Sequence, residues 1–234
     1  MNRRSDVKTA KTAKTVKTTV KTIKVARPNL RSRIRETTIQ AILAAAEEVF
    51  GEAGLHAAHM GTIAAKAGVS VGTLYNHFED REALLAGLLA DRRTELIGRI
   101  DAAIAEGAAR SLRERLRLIL LAFFSHCEAH RQFIHIVLQR EVGRYQQTYP
   151  QAWAGKTDAM REIYDRIEKE MKKGVREHAL RPELGDLGAV FFIGMLRALV
   201  IRDIVFQRGQ GMAAELDRLL DAFFHGLGRP GATP

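Results

Sequence analysis

Cysteine is almost missing from this chain: Cys127 is the one cysteine in 234 residues, which excludes an internal disulfide. Proline is scarce too, at five, while Ala, Leu, Ile, Arg and Glu are abundant; that balance favours helix over strand, and an all-α protein is expected. No apolar run reaches membrane-spanning length without a charge inside it. The longest, Leu187 to Phe206, contains Arg197, Arg202 and Asp203, so no membrane partner is expected. No basic segment followed by an apolar one opens the chain in the manner of a signal peptide; with the lone cysteine, this points to a reducing cytoplasm, on the nucleoid. Also missing are a glycine-rich phosphate loop, a nucleophile elbow and paired carboxylates, so neither catalysis nor a cofactor is expected. The chain is nevertheless long enough to bury a core without a metal staple.

What is present in excess is positive charge, +10 in total, and it is placed at one end. The first 35 residues hold twelve Lys and Arg against the single acid Asp6, a local charge of +11, so the other 199 residues sum to −1. Residues 1–30 repeat lysine every three or four positions among Thr, Ala and Val, as in Lys8-Thr9-Ala10-Lys11-Thr12-Ala13-Lys14. Such a stretch buries too little apolar surface to offset its ordering entropy and reads as a disordered basic arm. Its expected partner is a polyanion, and a DNA-coating protein driven by the arm is one reading of the whole chain.

From Arg33 to Ala53, Ile39, Ile42, Ala46, Val49, Phe50 and Ala53 fall on one helical stripe, and Gly54 suits a left-handed C-terminal stop. The informative stretch then runs from Met60 to Phe78. Ile63, Ala64 and Ala67 give a short helix an apolar face, Gly68 supplies a turn, Val69 fills the angle, and Ser70 caps a second short helix. Leu74 and Phe78, four apart, anchor that helix. Val71, Thr73, Tyr75, Asn76 and His77 are left facing outward or sideways, which is the layout of a major-groove reader.

In the residues Gly54-Leu55, Gly68-Val69-Ser70-Val71-Gly72-Thr73-Leu74-Tyr75-Asn76-His77-Phe78 and Arg81-Glu82-Ala83-Leu84-Leu85 the sequence resembles the TetR family of bacterial regulators. The resemblance covers about fifty residues. It implies a helix-turn-helix DNA-binding domain over 31–80, after the arm of 1–30, and a helical effector-binding and dimerisation domain over 81–234. It further implies a homodimer on double-stranded DNA, a repressor released from a palindromic operator by a small-molecule effector. Carried over by position, Ser70, Val71, Gly72, Thr73, Tyr75 and Asn76 become groove residues, with Tyr75, His77 and Arg81 as phosphate ligands. Arg31, Arg33 and Arg35 are placed to follow the backbone or enter the minor groove. Two positions depart from the family pattern: His59 stands where threonine commonly caps the second helix, and Gly61 where a longer polar side chain is usual.

Beyond Leu85 helical patterns run near 81–106, 111–127, 130–145, 152–178, 183–206 and 212–227. Leu216, Leu219, Leu220, Phe223, Phe224 and Leu227 form a wide stripe on the last, and the preceding helix is apolar on more than one face. Val190, Ile193, Leu196, Val200, Leu216, Leu220, Phe223, Phe224 and Leu227 are therefore the expected dimer interface, a four-helix bundle across a two-fold axis. The effector pocket implied by the resemblance is assigned to Phe123, Phe124, His126, Cys127 and Phe133 on the middle helices. His126 and His130 share a helix face, but with no third ligand in view no metal is expected.

Overall fold

The computed structural model describes residues 29–145, 159–182, 185–206 and 211–227, and these form helices joined by turns and short loops, with no strand among the described residues. The expected arm, up to residue 28, and the start of the 152–178 pattern lie outside them. The helices in order are α1 (Leu30–Ala53), α2 (Met60–Lys66), α3 (Val71–Tyr75), α4 (Arg81–Glu106), α5 (Leu112–Ala129), α6 (Arg131–Tyr145), α7 (Ala159–Arg176), α8 (Gly185–Val200) and α9 (Leu216–Leu227). A π-helical turn, Ile201–Val205, extends α8, and a 3-10 turn, Met212–Glu215, leads into α9.

Local chemistry sets the helix starts. Asn29 Oδ1 accepts from the Ser32 N–H at 2.8 Å, Asp80 Oδ1 from the Ala83 N–H at 2.7 Å, and Ser111 with Glu114 forms a reciprocal capping box. Gly54 ends α1 at φ +79° and Gly68 turns the chain between α2 and α3 at φ +69°, two positions where a Cβ would be strained.

Two apolar cores result. The first joins Ile42, Ala46, Val49 and Phe50 of α1 to Ile63, Leu74, Leu84, Leu85 and Leu88, and is closed from the far side by Phe133 and Ile136 of α6. The second fills the space among α4, α5, α7, α8 and α9 with Leu96, Ile100, Leu116, Leu120, Phe124, Ile167, Phe192, Leu196, Leu220 and Phe223. Ala53, expected on the apolar stripe of α1, is exposed, while Leu43 and Ala45 are buried.

The apolar stripe of α9 is covered by its own chain. Leu216, Leu220, Phe223 and Phe224 pack against α5 and α8, and Leu196 and Val200 face the same core. Those six, expected at a dimer interface, are therefore intrachain core; α5 supplies the cover that sequence periodicity alone could not assign. The side chain of Leu227 lies outside the described residues. Val190 is 52% exposed and Ile193 half-buried, and Leu187 and Phe191 join Val190 on an open apolar face of α8.

Candidate nucleic-acid interface

The geometry of the short α3 begins with its cap. Ser70 Oγ accepts from the Thr73 N–H at 3.0 Å and lies 2.8 Å from Thr73 Oγ1, so the first turn is held by side chains and not by length. Leu74, fully buried, fastens the inner face to the first core. Most of the rest looks out: Val71 is 45% and Tyr75 49% exposed, and Ser70, Gly72 and Asn76 are exposed as well, while Thr73 is half-buried. Phe78 closes the far end against α4, where a Cβ on Gly87 would stand 2.7 Å from its ring. A five-residue helix thus carries an apolar anchor on one side and a hydroxyl, an amide and an aliphatic side chain on the other.

The neighbouring helices hold this platform in place. Lys66 of α2 bridges Glu48 and Glu52 of α1 at 2.6 and 3.2 Å, so its charge is spent within the protein. As expected from His59, α2 starts without a side-chain cap. Arg92 of α4 donates its Nε to Glu47 Oε2 of α1 at 2.7 Å in a buried pair, and Gln40 Nε2 donates to Asp91 Oδ1 at 2.8 Å. These bonds tie α4, which leads into the rest of the molecule, to the helix that carries the basic N-terminal turns.

The three arginines of those turns are all exposed but are not equivalent. Arg33 borders a groove of about 500 Å³ formed by Leu30, Ile34, Thr37, Thr38 and Ala41 of α1 with Ala67 and Val69 of the turn. It therefore stands beside the turn that leads into Ser70. Arg31 and Arg35 do not line that groove. Two of the expected phosphate ligands are partly committed elsewhere. Arg81 donates from a guanidinium nitrogen to the His56 carbonyl at 2.8 Å, closing the loop after α1, and His77 is half-buried with its Nδ1 enclosed and unpartnered. Sequence spacing gave no signal for the Arg81 bond, whose acceptor lies 25 residues earlier in the chain.

Among the described residues, the apolar side chains expected to line the effector pocket are packed into the two cores. Phe123, Phe124 and Cys127 are interdigitated in the second core, and Phe133 belongs to the first. Burial pushes the Cys127 thiol up to about 12, as an apolar surrounding requires. His126 is also enclosed, and burial, helped by the neighbouring His130, lowers it to about 4. The chain opens instead at a cleft of about 480 Å³ between Gly51 of α1, Arg131, Gln132 and His135 of α6, and Asp203, Ile204 and Gly211. Arg131 there donates to Asp203 Oδ2 at 2.9 Å and to the Asp203 carbonyl at 3.1 Å, across the π-helical turn.

A short capped helix presented by two partners, on an all-α body, defines the molecule as a helix-turn-helix protein. Residues 42–88 match the family model described as bacterial regulatory proteins, tetR family. Over that segment the chain is similar to that family. Over 84 residues it is 36% identical to the fatty acid metabolism regulator protein of Bacillus subtilis, a match covering 36% of this chain and 42% of the relative. Over 140 residues it is 29% identical to the HTH-type transcriptional activator FasR of Mycolicibacterium smegmatis, covering 60% of this chain and 62% of the relative. The matches thus span less than two thirds of either curated relative. The fold is shared more widely: the transcriptional regulator FadR from Bacillus subtilis, solved in complex with stearoyl-CoA, superposes with a TM-score of 0.67 at 22% identity, over 80% of this chain and 98% of the other.

Proposed function

We propose that the protein is a homodimeric, sequence-specific DNA-binding transcriptional regulator that acts as a repressor and leaves a palindromic operator when a small-molecule effector binds. The observation that carries this reading is α3: five residues, anchored by Leu74 alone and capped by Ser70, with Val71, Gly72, Tyr75 and Asn76 left open to solvent. A helix this short has no packing reason to exist, and its outward groups match the needs of a groove. Asn76 pairs with an adenine edge, Val71 touches a thymine methyl, Gly72 lets the backbone approach, and the Tyr75 hydroxyl donates to a phosphate. Arg33 reaches the flanking backbone from beside Val69.

In this reading residues 31–80 hold the DNA, and residues 81–234 pair the subunits and receive the effector. An effector releases DNA only if it binds the DNA-incompetent state more tightly. The effector class we assign is a long-chain acyl thioester. Its support is the stearoyl-CoA complex of the Bacillus subtilis FadR, whose fold this chain shares.

The test is selection of bound sequences from random DNA, followed by binding measurements on the recovered operator. Asn76→Ala is expected to relax preference at one base position in each half-site, at a cost of about 1–3 kcal/mol on the preferred operator. Tyr75→Phe is expected to weaken operator and random DNA alike. Recovery of no consensus, or a binding activity that disappears entirely with residues 1–27 removed, overturns the sequence-specific reading. Stearoyl-CoA is expected to weaken operator binding, and its failure to do so removes the effector class while leaving the DNA-binding head intact.

A further inference from the structure

Where α1, α4 and the junction of α5 with α6 meet, three side chains with metal-ligating atoms turn toward one another. Glu95 comes from α4, His126 from the last turn of α5 and His130 from the residue that ends α5; one donor atom of each lies within 4.8 Å of the others. His126 Nδ1 stands 3.8 Å from Glu95 Oε1, and His130 Nε2 stands 3.2 Å from Glu95 Oε2. The histidines alone are four residues apart on one helix; it is the fold that adds the carboxylate.

Two further features single the cluster out. His126 is 1% exposed, yet neither of its ring nitrogens has a hydrogen-bond partner, an unusual state for a polar group sealed from water. His130 is oriented from behind: its Nδ1 lies 3.1 Å from Glu47 Oε1, and Glu47 is itself held by Arg92. With an ion bound, the carboxylate on Nδ1 holds the ring proton there and presents the Nε2 lone pair, on the Glu95 side, to the metal, the arrangement that commonly orients a metal-binding histidine.

We propose that Glu95, His126 and His130 form a binding site for one divalent transition-metal ion of the zinc, cobalt and nickel class, with Glu47 as the positioning residue for His130. Two imidazoles and one carboxylate suit these ions, whereas magnesium and calcium prefer sets made of oxygen. Metal–ligand bonds of about 2.0–2.2 Å place tetrahedral ligands roughly 3.4 Å apart, so the cluster closes by side-chain movements of about 1 Å. Three protein ligands leave a fourth position for water. Two arginines compete for Glu95: Arg99 donates to Oε1 from NH2 at 2.8 Å and from Nε at 3.1 Å, and Arg92 NH1 stands 3.5 Å from Oε2 but is already engaged with Asp91 at 2.9 Å, so an ion held through Oε2 leaves the Arg99 pair on Oε1 in place. A bound ion clasps α4 to the end of α5 and, through Glu47, to α1 of the DNA-binding head.

The test is a Co²⁺ titration of the chelator-stripped full chain, read by visible absorption and by the shift in Tm. One Co²⁺ per chain is expected, with intensified absorption of low coordination number and a Tm that rises with metal concentration. Glu95→Gln, which keeps the side chain's shape, and His130→Ala are expected to abolish that spectrum while far-ultraviolet circular dichroism stays unchanged. Glu47→Gln should lower affinity about tenfold and keep the stoichiometry. His225→Ala, on the open surface of α9, should change nothing. No saturable Co²⁺ binding in the micromolar range, or a spectrum that survives both Glu95→Gln and His130→Ala, overturns the proposal. The readout does not involve DNA, so it stands or falls separately from the regulatory reading.

Discussion

Arg115 sits 1% exposed in the second core, and every one of its guanidinium nitrogens is engaged. Nε donates to Glu170 Oε2 at 2.7 Å, NH2 to Glu177 Oε2 at 2.7 Å and NH1 to the Arg110 carbonyl at 2.7 Å. The charge is tolerable because the fork is satisfied on all sides, and the bonds tie α5 to α7. Replacing it by an apolar residue of similar length removes the cation and leaves Glu170 buried alone. Arg115→Met is expected to cost about 3–5 kcal/mol, seen as a lower urea midpoint at neutral pH with an unchanged slope. Arg115→Met with Glu170→Leu should recover part of that loss, since no unpaired carboxylate then remains. Nothing in the spacing of α5 marks Arg115 as internal; its partners come 55 and 62 residues later in the chain. Ser70 and Gly68, by contrast, were readable from the sequence, because a cap and a left-handed turn act within three residues. The same distinction separates His126 and His130, visible as a helical pair, from Glu95, which arrives from another helix.

At the level of the helices, the contact of Phe78 with α4 sets how the proposed recognition surface is aimed. Phe78 ends the α3 turn and lies against Gly87, where an added Cβ would meet its ring at 2.7 and 3.4 Å. Gly87→Ala must push the ring aside, at about 1–3 kcal/mol for an overpacked site, and so shift the helix that Leu74 anchors. We expect roughly tenfold weaker operator binding with the helical circular dichroism retained. Gly98→Ala, on the same helix with nothing within 4 Å of the new methyl, should stabilise by about 1 kcal/mol and leave operator binding unchanged. Equal effects of the two substitutions in a fluorescence-anisotropy titration would show that Phe78 does not aim α3. Helix existence and most boundaries were legible here: 81–106 is reproduced as α4, and 130–145 as α6 to within one residue. The pattern over 183–206 hid a change of winding, with α8 passing into the π-helical turn Ile201–Val205, because apolar residues continue through both.

For the molecule as a whole, the question is which apolar surface is left for a second copy. An operator with two half-sites about one helical turn apart requires two heads related by symmetry, hence a self-complementary interface. The described part of the α9 stripe offers little of it, since Leu216, Leu220, Phe223 and Phe224 are enclosed by α5 and α8, and the outer side of α9 carries Asp217, Arg218, Asp221 and His225. Among the described residues, the open apolar face proposed for the partner is that of α8, where Leu187, Val190 and Phe191 are 46%, 52% and 53% exposed and Gly194 and Ala198 continue the same side with small residues that permit close approach. Sequence reading placed the interface on the last two helices but could not divide their apolar residues between core and partner, because both uses call for the same side chains. Substitutions can make that division. Phe191→Asp places a charge on the open face and is expected to give a folded monomer by sedimentation equilibrium, with operator affinity reduced by about a hundredfold. Leu220→Asp buries the charge instead, at a site with no exposure, and is expected to lower thermal stability and helical content in the first place. If Phe191→Asp remains a dimer with full operator affinity, the subunits meet elsewhere. A dimer that survives Phe191→Asp but dissociates with Leu220→Asp, at unchanged helicity, would return the interface to α9.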